Sequence, residues 1–348
     1  MKDLFADFET ITKARWVERV ERDLKGRSFS DLRWSPADGI EMDPFLTKED
    51  VASIDHSVLD DAPAGWAVGE FVDGCSNQRI LEVLNAGVES LAITVDAPRT
   101  TADWQGLLQG VELSAIQLHL YITDRDIVLD QAALVHALGG ESGTWAWLFI
   151  HYPAGEGDFE LERALLDRFG PDPAVRALNI DARPWHGGSE MTVKELGTFH
   201  DYLGELVHAL ADRSAHVPRH LHADVHTGLH YFTEIAKLRA LRLVVADRTG
   251  GDHGFISASF PARSYGEDAY DNMIHSTTLA MSAVLGGARH MLVTHPDVSE
   301  SAFHRRIARN VQLLLKHESK MEGQAQAAAG SYAIDHLTER LRTAAEEA

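Results

Sequence analysis

From Trp66 onward the sequence alternates short apolar runs with longer segments of helical periodicity. The apolar runs are 67–71, 91–95, 117–122, 145–150, 177–180, 220–225, 255–259 and 291–294. Each is followed by a stretch in which apolar residues recur every three or four positions: 77–86, 102–108, 130–138, 160–169, 192–211, 231–245, 268–285 and 301–316. Short buried strands alternating with amphipathic helices build parallel sheets, because the crossover helix returns the chain to the same sheet edge. Eight such units predict a closed (β/α)8 TIM barrel, with an extended N-terminal arm and a C-terminal helix. The competing architecture is an open, doubly wound sheet. No glycine-rich phosphate turn follows the first strand, which counts against it.

The stretch from Tyr231 to Ser319 shows the rhythm best. Tyr231, Ile235, Leu238 and Val245 fall on one face of a long helix. Residues 268–285 repeat the pattern and stop at Gly286-Gly287, a helix-ending pair. Met291-Leu292-Val293-Thr294 is a short buried strand that ends at His295-Pro296.

Residues 1–65 read as an arm, 66–318 as the barrel and 319–348 as a helical tail. The arm has one amphipathic helix carrying Trp16, Val17, Val20 and Leu24, then a polar chain with spaced aromatics. It holds too little apolar surface for a core of its own. It is expected to strap either its own barrel or a partner subunit. No run of eighteen apolar residues predicts a membrane span, and Met1-Lys2-Asp3-Leu4-Phe5 lacks the apolar centre of a signal peptide. The single cysteine, Cys75, excludes an internal disulfide, so a cytoplasmic location is expected. The net charge of −21 argues against nucleic acid or an anionic membrane as partner. Such acidity serves solubility or adaptation to high salt.

In a barrel of this kind function gathers where strands end and β-to-α loops begin. Those positions hold Asp96, Thr123, Asp124, His151, Asp181, Arg183, His186, His226, Ser259, Arg263 and His295. Imidazoles at strand ends serve as general acids, metal ligands or polar anchors. His220, His222, Asp224 and His226 alternate, so on a strand they share one face, and Leu221, Ala223 and Val225 take the other. Joined by His151, Asp181 and His295, they would make a metal-dependent hydrolase. That reading places His220 deep in the packed interior, and no metal is the favoured expectation.

Several longer words carry a resemblance: Tyr-Phe-Thr-Glu-Ile-Ala-Lys-Leu-Arg-Ala-Leu-Arg from Tyr231, Asn272-Met273 with Thr277-Thr278, Arg306-Ile307-Ala308-Arg309-Asn310, Glu318-Ser319, and Gly330-Ser331-Tyr332 with Leu337-Thr338. With these the chain resembles the barrel domain of the methylmalonyl-CoA mutase family, clearly from about Pro218 to Ala344. The resemblance implies an acyl-CoA threaded along the barrel axis, adenosylcobalamin as radical source, and an N-terminal region that clasps the other subunit. It also implies departures. Trp66-Ala67-Val68-Gly69-Glu70-Phe71 stands where active chains carry Tyr-Ala-Gly-Phe-Ser-Thr. Pro184-Trp185-His186 keeps only the histidine of the family's Gly-Tyr-His word. Ser259-Phe260-Pro261-Ala262-Arg263 replaces Ser-Gln-Thr-Ser-Gly, and Ala327-Ala328-Ala329 replaces the Asp-Pro before Gly-Ser-Tyr. The Thr-Ile-Gln-Asn-Asp word has no counterpart at His151-Tyr152-Pro153. Asp224-x-His226 with Gly228 is an off-register coincidence with the cobalamin-ligand pattern. Gly65-Trp66, Tyr270-Asp271-Asn272-Met273 and Ala283-Val284-Leu285-Gly286-Gly287 look more like the family's small subunit. The expectation is therefore a non-catalytic barrel, without a cobalamin-binding domain or bound cofactor. It would assemble with a large catalytic mutase subunit that works with adenosylcobalamin. A homodimer, a stand-alone acyl-thioester binder, or a barrel served by a separate cobalamin-binding chain are the alternatives.

Overall fold

The computed structural model describes residues 11–60, 65–72, 76–140, 147–155, 157–251, 253–293, 301–324 and 327–348. Eight parallel staves form the barrel. They are β1 (Ala67–Phe71), β2 (Ser90–Val95), β3 (Gln117–Ile122), β4 (Trp147–His151), β5 in two pieces (Val175–Arg176 and Leu178–Asp181), β6 (Leu221–His226), β7 (Phe255–Ser259) and β8 (His290–Leu292). The ring closes twice over. β8 pairs with β1 from His290↔Ala67 to Leu292↔Gly69. The two pieces of β5 divide their pairing, the first to β4 and the second to β6, across Ala177. The helices are α1 (Asn77–Asn85), α2 (Thr101–Leu107), α3 (Val128–Gly140), α4 (Glu160–Phe169), α5 (Thr192–Ala209), α6 (Tyr231–Thr249), α7 (Ala269–Gly286) and α8 (Ala302–Leu313). The expected strands 145–150 and 291–294 run partly outside the described residues, as does His295.

Register explains the two-sided chemistry of the staves. Side chains alternate across a strand, so Leu118, Leu120 and Ile122 of β3 pack outward beneath the helices, while Gln117, His119 and Tyr121 face the axis. On β6, Leu221, Ala223 and Val225 join the outer core, and His222 and Asp224 point inward. His220 departs from the alternation read in the sequence. It ends a short helical turn, Val217–His220, below β6, where its Nε2 donates to the Gly170 carbonyl at 3.2 Å. Pro218 sits at the start of that turn, where its fixed φ suits a helix and its missing N–H costs nothing.

Gly69 of β1 marks where the interior is tightest. A Cβ there would lie 2.6 Å from His290 Nε2 and 2.6 Å from the Met291 carbonyl oxygen. The carbonyl belongs to a paired strand and has little freedom to retreat. Gly69→Ala is expected to destabilise the fold by about 1–3 kcal/mol, as overpacking does. Urea denaturation measures it, and an unchanged midpoint would refute the close approach.

The sequence predicts one buried face for α6, yet every residue from 233 to 246 is buried. The reason is a second layer. The C-terminal helix, Tyr332–Glu347, lies across α5 and α6 and buries Ile334, Leu337 and Leu341 there. Charges on the outer face of α6 are therefore paired internally. Arg239 donates to Asp335 of that helix at 2.9 Å, whereas Lys237, on the barrel-facing side of α6, bonds within the rim.

The arm folds onto its own barrel over much of its length. Ala37, Ile40 and Met42 of a small hairpin join the core beside α5 and α6. Thr233 Oγ1 donates to the Pro36 carbonyl at 3.1 Å, and Asp38 accepts the Val193 N–H at 2.7 Å at the start of α5. The first helix, Lys13–Asp23, is capped by Thr12 and held through Lys13 to Asp43 and Asp50. It buries none of its residues; Trp16 packs on Phe45 and Phe29 within the arm itself.

Candidate functional site

The barrel axis is filled by rings. His119 of β3 lies between Phe149 of β4 and His290 of β8, with ring centroids 4.1 Å and 3.8 Å away and planes within 18° of parallel. Phe149 packs on Phe255 at 4.4 Å, His151 stacks on Tyr121 at 4.0 Å, and His222 meets His151 edge-on at 4.7 Å. His119, Phe149, His222 and His290 have no solvent exposure.

Hydrogen bonds order these rings. The Asp224 carboxylate accepts from His151 Nδ1 at 2.7 Å and from the Tyr121 hydroxyl at 3.3 Å. His151 Nε2 lies 2.8 Å from His119 Nδ1, which joins the two rings in one hydrogen-bonded chain. His119 Nε2 lies 3.3 Å from the Gln117 amide oxygen Oε1, to which it donates. Ser257 Oγ continues the network to His290 Nδ1 at 2.6 Å. Burial holds His119 and His222 well below the ordinary imidazole value and His290 at about 3, and charge on neighbouring histidines adds to it. Burial opposes ionisation of Asp224, but His151 and Arg183 outweigh it and keep the carboxyl well below its usual range.

A second cluster sits at the C-terminal mouth. Lys237 of α6, fully buried, reaches Glu195 at 3.2 Å, Glu234 at 2.8 Å and the His226 carbonyl at 2.8 Å. Glu195 also accepts from His186 Nδ1 at 2.8 Å. Lys237 and His186 together pull the Glu195 carboxyl below its usual value against the penalty of burial, and the two carboxylates raise Lys237. His186 Nε2 is buried with no hydrogen-bond partner among the described residues, and a Cβ added at Gly228 would lie 3.3 Å from it. His226 bonds through Nδ1 to Ser259 Oγ at 3.0 Å, and burial lowers it to about 4. Arg263 donates to the His186 carbonyl.

The strand-end candidates thus divide into three sets. His186, His226, Ser259 and Arg263 come together at the mouth. Asp181, Arg183 and His151 meet around Asp224: Arg183 binds Asp181 at 2.7 and 2.8 Å, lies over the Tyr121 ring at 5.2 Å and reaches Asp224 at 3.9 Å. Asp96, Thr123 and Asp124 stand exposed at the ends of β2 and β3, apart from both clusters, with Asp124 capping the turn that follows β3. Tyr121, Ser257, His290, Glu195, Glu234 and Lys237 escaped the sequence reading. Alternation offered a signal for the first two, since Gln117-x-His119-x-Tyr121 and Phe255-x-Ser257-x-Ser259 each put polar or ring side chains on the inner face.

The site's chemistry is that of a closed polar core. The nitrogens of His119 and His151 are committed to each other and to their neighbours. Among the described residues no group of three or more His, Cys, Asp or Glu side chains is arranged to hold a metal ion. Nor does the Asp224-x-His226 pattern fit a cobalt ligand backed by a carboxylate: Asp224 binds His151, and His226 turns to Ser259. At the opposite, N-terminal mouth an open cavity of about 330 Å3 is lined by Trp66, Ile116, Gln117, Trp147, Phe255 and Arg289. Phe255, Phe149 and His119 close it off from the C-terminal side.

Comparison with known proteins places these features in context. The family model described as methylmalonyl-CoA mutase matches residues 195–348. The methylmalonyl-CoA mutase small subunit of Porphyromonas gingivalis is 27% identical over 384 residues, covering 97% of this chain and 62% of that protein. The probable methylmalonyl-CoA mutase small subunit of Mycobacterium tuberculosis (strain ATCC 25618 / H37Rv) is 29% identical over 331 residues, covering 81% and 52%. The chain thus spans between half and two thirds of the length of these relatives. Dihydropteroate synthase from Thermus thermophilus superposes with a TM-score of 0.42 at 17% identity, over 73% of this chain and 93% of that one, too loosely to carry an argument.

Proposed function

We propose, from the premise that this chain is a relative of the methylmalonyl-CoA mutases, that it is a non-catalytic barrel of the small-subunit kind. In this reading it assembles in the cytoplasm with a larger, cobalamin-dependent acyl-CoA mutase chain, stabilises that chain, and holds no cobalamin itself. The observation that carries the reading is the filled axis. Where the family threads its acyl-CoA, this barrel stacks His119, Phe149, His151, His222 and His290 without solvent exposure or nearly so. An acyl chain could enter only by displacing rings that are hydrogen-bonded and close-packed. Support also comes from His186, whose Nδ1 is tied to Glu195 and whose Nε2 is buried beside Gly228. A radical enzyme needs its acid free to reach substrate.

The test is a mutase assay with methylmalonyl-CoA and adenosylcobalamin. It is run on the purified chain, on the larger mutase chain from the same source, and on the two mixed and re-isolated by gel filtration. The expected result is no turnover by this chain alone, co-elution of the two, and a higher melting temperature for the larger chain in the complex. Turnover by this chain alone would overturn the proposal. One observation favours a second reading, a stand-alone binder: the N-terminal mouth cavity is large enough for a planar group. Calorimetric titration of the isolated chain with methylmalonyl-CoA separates the two.

A further inference from the structure

The N-terminal mouth holds chemistry that assembly with a larger chain does not use. Its cavity of about 330 Å3 is walled by Trp66 just before β1, Ile116, Trp147 of β4 and Phe255 of β7. The stacked Phe149 and His119 close its inner end. Two indoles and a phenyl ring thus line one small concave space. Concave, mostly apolar spaces with a few polar groups are where small molecules bind, and ring walls favour an occupant that carries a ring. Cations already lie on these rings: Arg289 over Phe255 at 5.0 Å, and Arg176 over Trp147 at 5.5 Å and Phe255 at 5.6 Å.

Three charged side chains line the same space, Arg289, Glu89 and Glu322. Lys316 Nζ donates to both oxygens of Glu89, at 2.9 and 2.7 Å, and to the Trp66 carbonyl at 3.0 Å, so Glu89 is neutralised. Glu322 meets the same ammonium only through Oε1, at 3.5 Å, and its side chain is half exposed. Arg289 is half-buried. A guanidinium has five N–H donors and can hold a carboxylate in addition to a partner in the protein. The mouth therefore offers a cation and an anion beside aromatic walls. A polyphosphate tail, that of coenzyme A included, would set its charges against Glu89 and Glu322 in a chain of net charge −21, whereas a zwitterion satisfies both signs. We propose that this mouth binds a free aromatic α-amino acid, its ring among Trp66, Trp147 and Phe255, its carboxylate on Arg289 and its ammonium on Glu322. Such binding is independent of assembly with a larger chain, whose test reads turnover and co-elution.

The test is calorimetric titration of the full-length chain with L-phenylalanine and L-tryptophan. At least one is expected to bind with a dissociation constant below about 1 mM. The tighter of the two is then compared with the amine that lacks its carboxylate and the acid that lacks its ammonium: phenethylamine and 3-phenylpropionate, or tryptamine and indole-3-propionate. Each is expected to bind at least about tenfold more weakly, because it leaves Arg289 or Glu322 unanswered. Arg289→Gln and Glu322→Gln should each weaken the amino acid by about tenfold. Glu322→Gln should do so at an unchanged melting temperature, since that side chain is half exposed. Glu267→Gln, exposed in the loop after β7 at the opposite mouth, is expected to bind as wild type. No binding of either amino acid up to about 10 mM overturns the proposal. Equal binding of the amine or the acid overturns it too, because the cavity would then read the ring alone, and so does tighter binding of coenzyme A. Amino acid binding that survives both Arg289→Gln and Glu322→Gln unchanged would place the ligand elsewhere and overturn the site.

Discussion

Between pH 6.5 and pH 5 the folded chain is expected to lose most of its stability. Five histidines carry the effect, four of them buried and His226 partly so. His119 and His222 are held well below the ordinary imidazole value, His290 at about 3, and His220 and His226 at about 4, with burial the leading cause in each case. In the unfolded chain each returns to about 6.5. The folded pKa is the depressed one, so the unfolded state binds more protons below pH 6.5 and stability falls as pH drops toward 4. Each histidine contributes a slope of about 1.4 kcal/mol per pH unit, so five together approach roughly 7 kcal/mol per unit where all titrate. Against a typical reserve of about 5–15 kcal/mol, that places acid unfolding near pH 5. The carboxylates add to it in the same direction, since Glu195 and Asp224 are lowered in the fold and lose their stabilising charge further down. Urea denaturation at half-unit steps from pH 8 to pH 5 measures the effect. A plateau above pH 7 and a steep fall below 6.5, with uptake of several protons, is the expected profile. A midpoint unchanged between pH 7 and pH 5.5 would show that the rings are not buried neutral as described.

The fold was legible because period is a local property. Ala67–Phe71, Gln117–Ile122, Phe255–Ser259 and Glu160–Phe169 follow directly from apolar runs and helical spacing, and the structure has them at those bounds. The closing stave was less legible. β5 is broken at Ala177, and each of its pieces pairs with a different neighbour. What fills the axis depends on register around the whole ring, which no single strand reveals. His119 could be read as an inward residue, but its place between Phe149 and His290 joins three staves far apart in sequence. The burial of the α6 charges was illegible for a related reason. Arg239 and Arg242 are buried by segments far away in the chain, Arg239 against Asp335 of the C-terminal helix and Arg242 against the Leu59 carbonyl of the arm. The resemblance singles out His186 but says nothing of its orientation, because Glu195 binds its Nδ1 from α5.

Lys237 supplies the strongest single-residue test of how the C-terminal mouth is held. One ammonium serves two carboxylates, Glu234 at 2.8 Å and Glu195 at 3.2 Å, and all three side chains are at most 2% exposed. It also donates to the His226 carbonyl at 2.8 Å, tying the end of β6 to α6. Lys237→Met keeps the length of the stem but leaves two carboxylates buried without a cation, and should cost about 3–5 kcal/mol. Most of that cost belongs to the stranded charges, not to a net gain from the intact group. Neutralising them should therefore restore stability: Lys237→Met combined with Glu234→Gln and Glu195→Gln is expected within about 1–2 kcal/mol of wild type. The glutamine at position 195 still offers an oxygen to His186 Nδ1, so that bond survives in the triple variant. Glu195→Gln with Glu234→Gln, with Lys237 retained, should be nearly as damaging as Lys237→Met, because an unpaired buried ammonium replaces the unpaired carboxylates. Denaturant midpoints at pH 8, above the titration of the histidines, keep the acid effect out of the comparison. If single and triple variants were equally unstable, the cluster would be held by packing of the lysine stem and not by charge balance. Equal stability of all variants would mean that the mouth is wet enough to screen these charges, contrary to their burial. The physical claim is that the rim beneath Phe232 and Tyr231 is set by a neutralised buried ion cluster, whose stability depends on the balance of its members and not on any one of them.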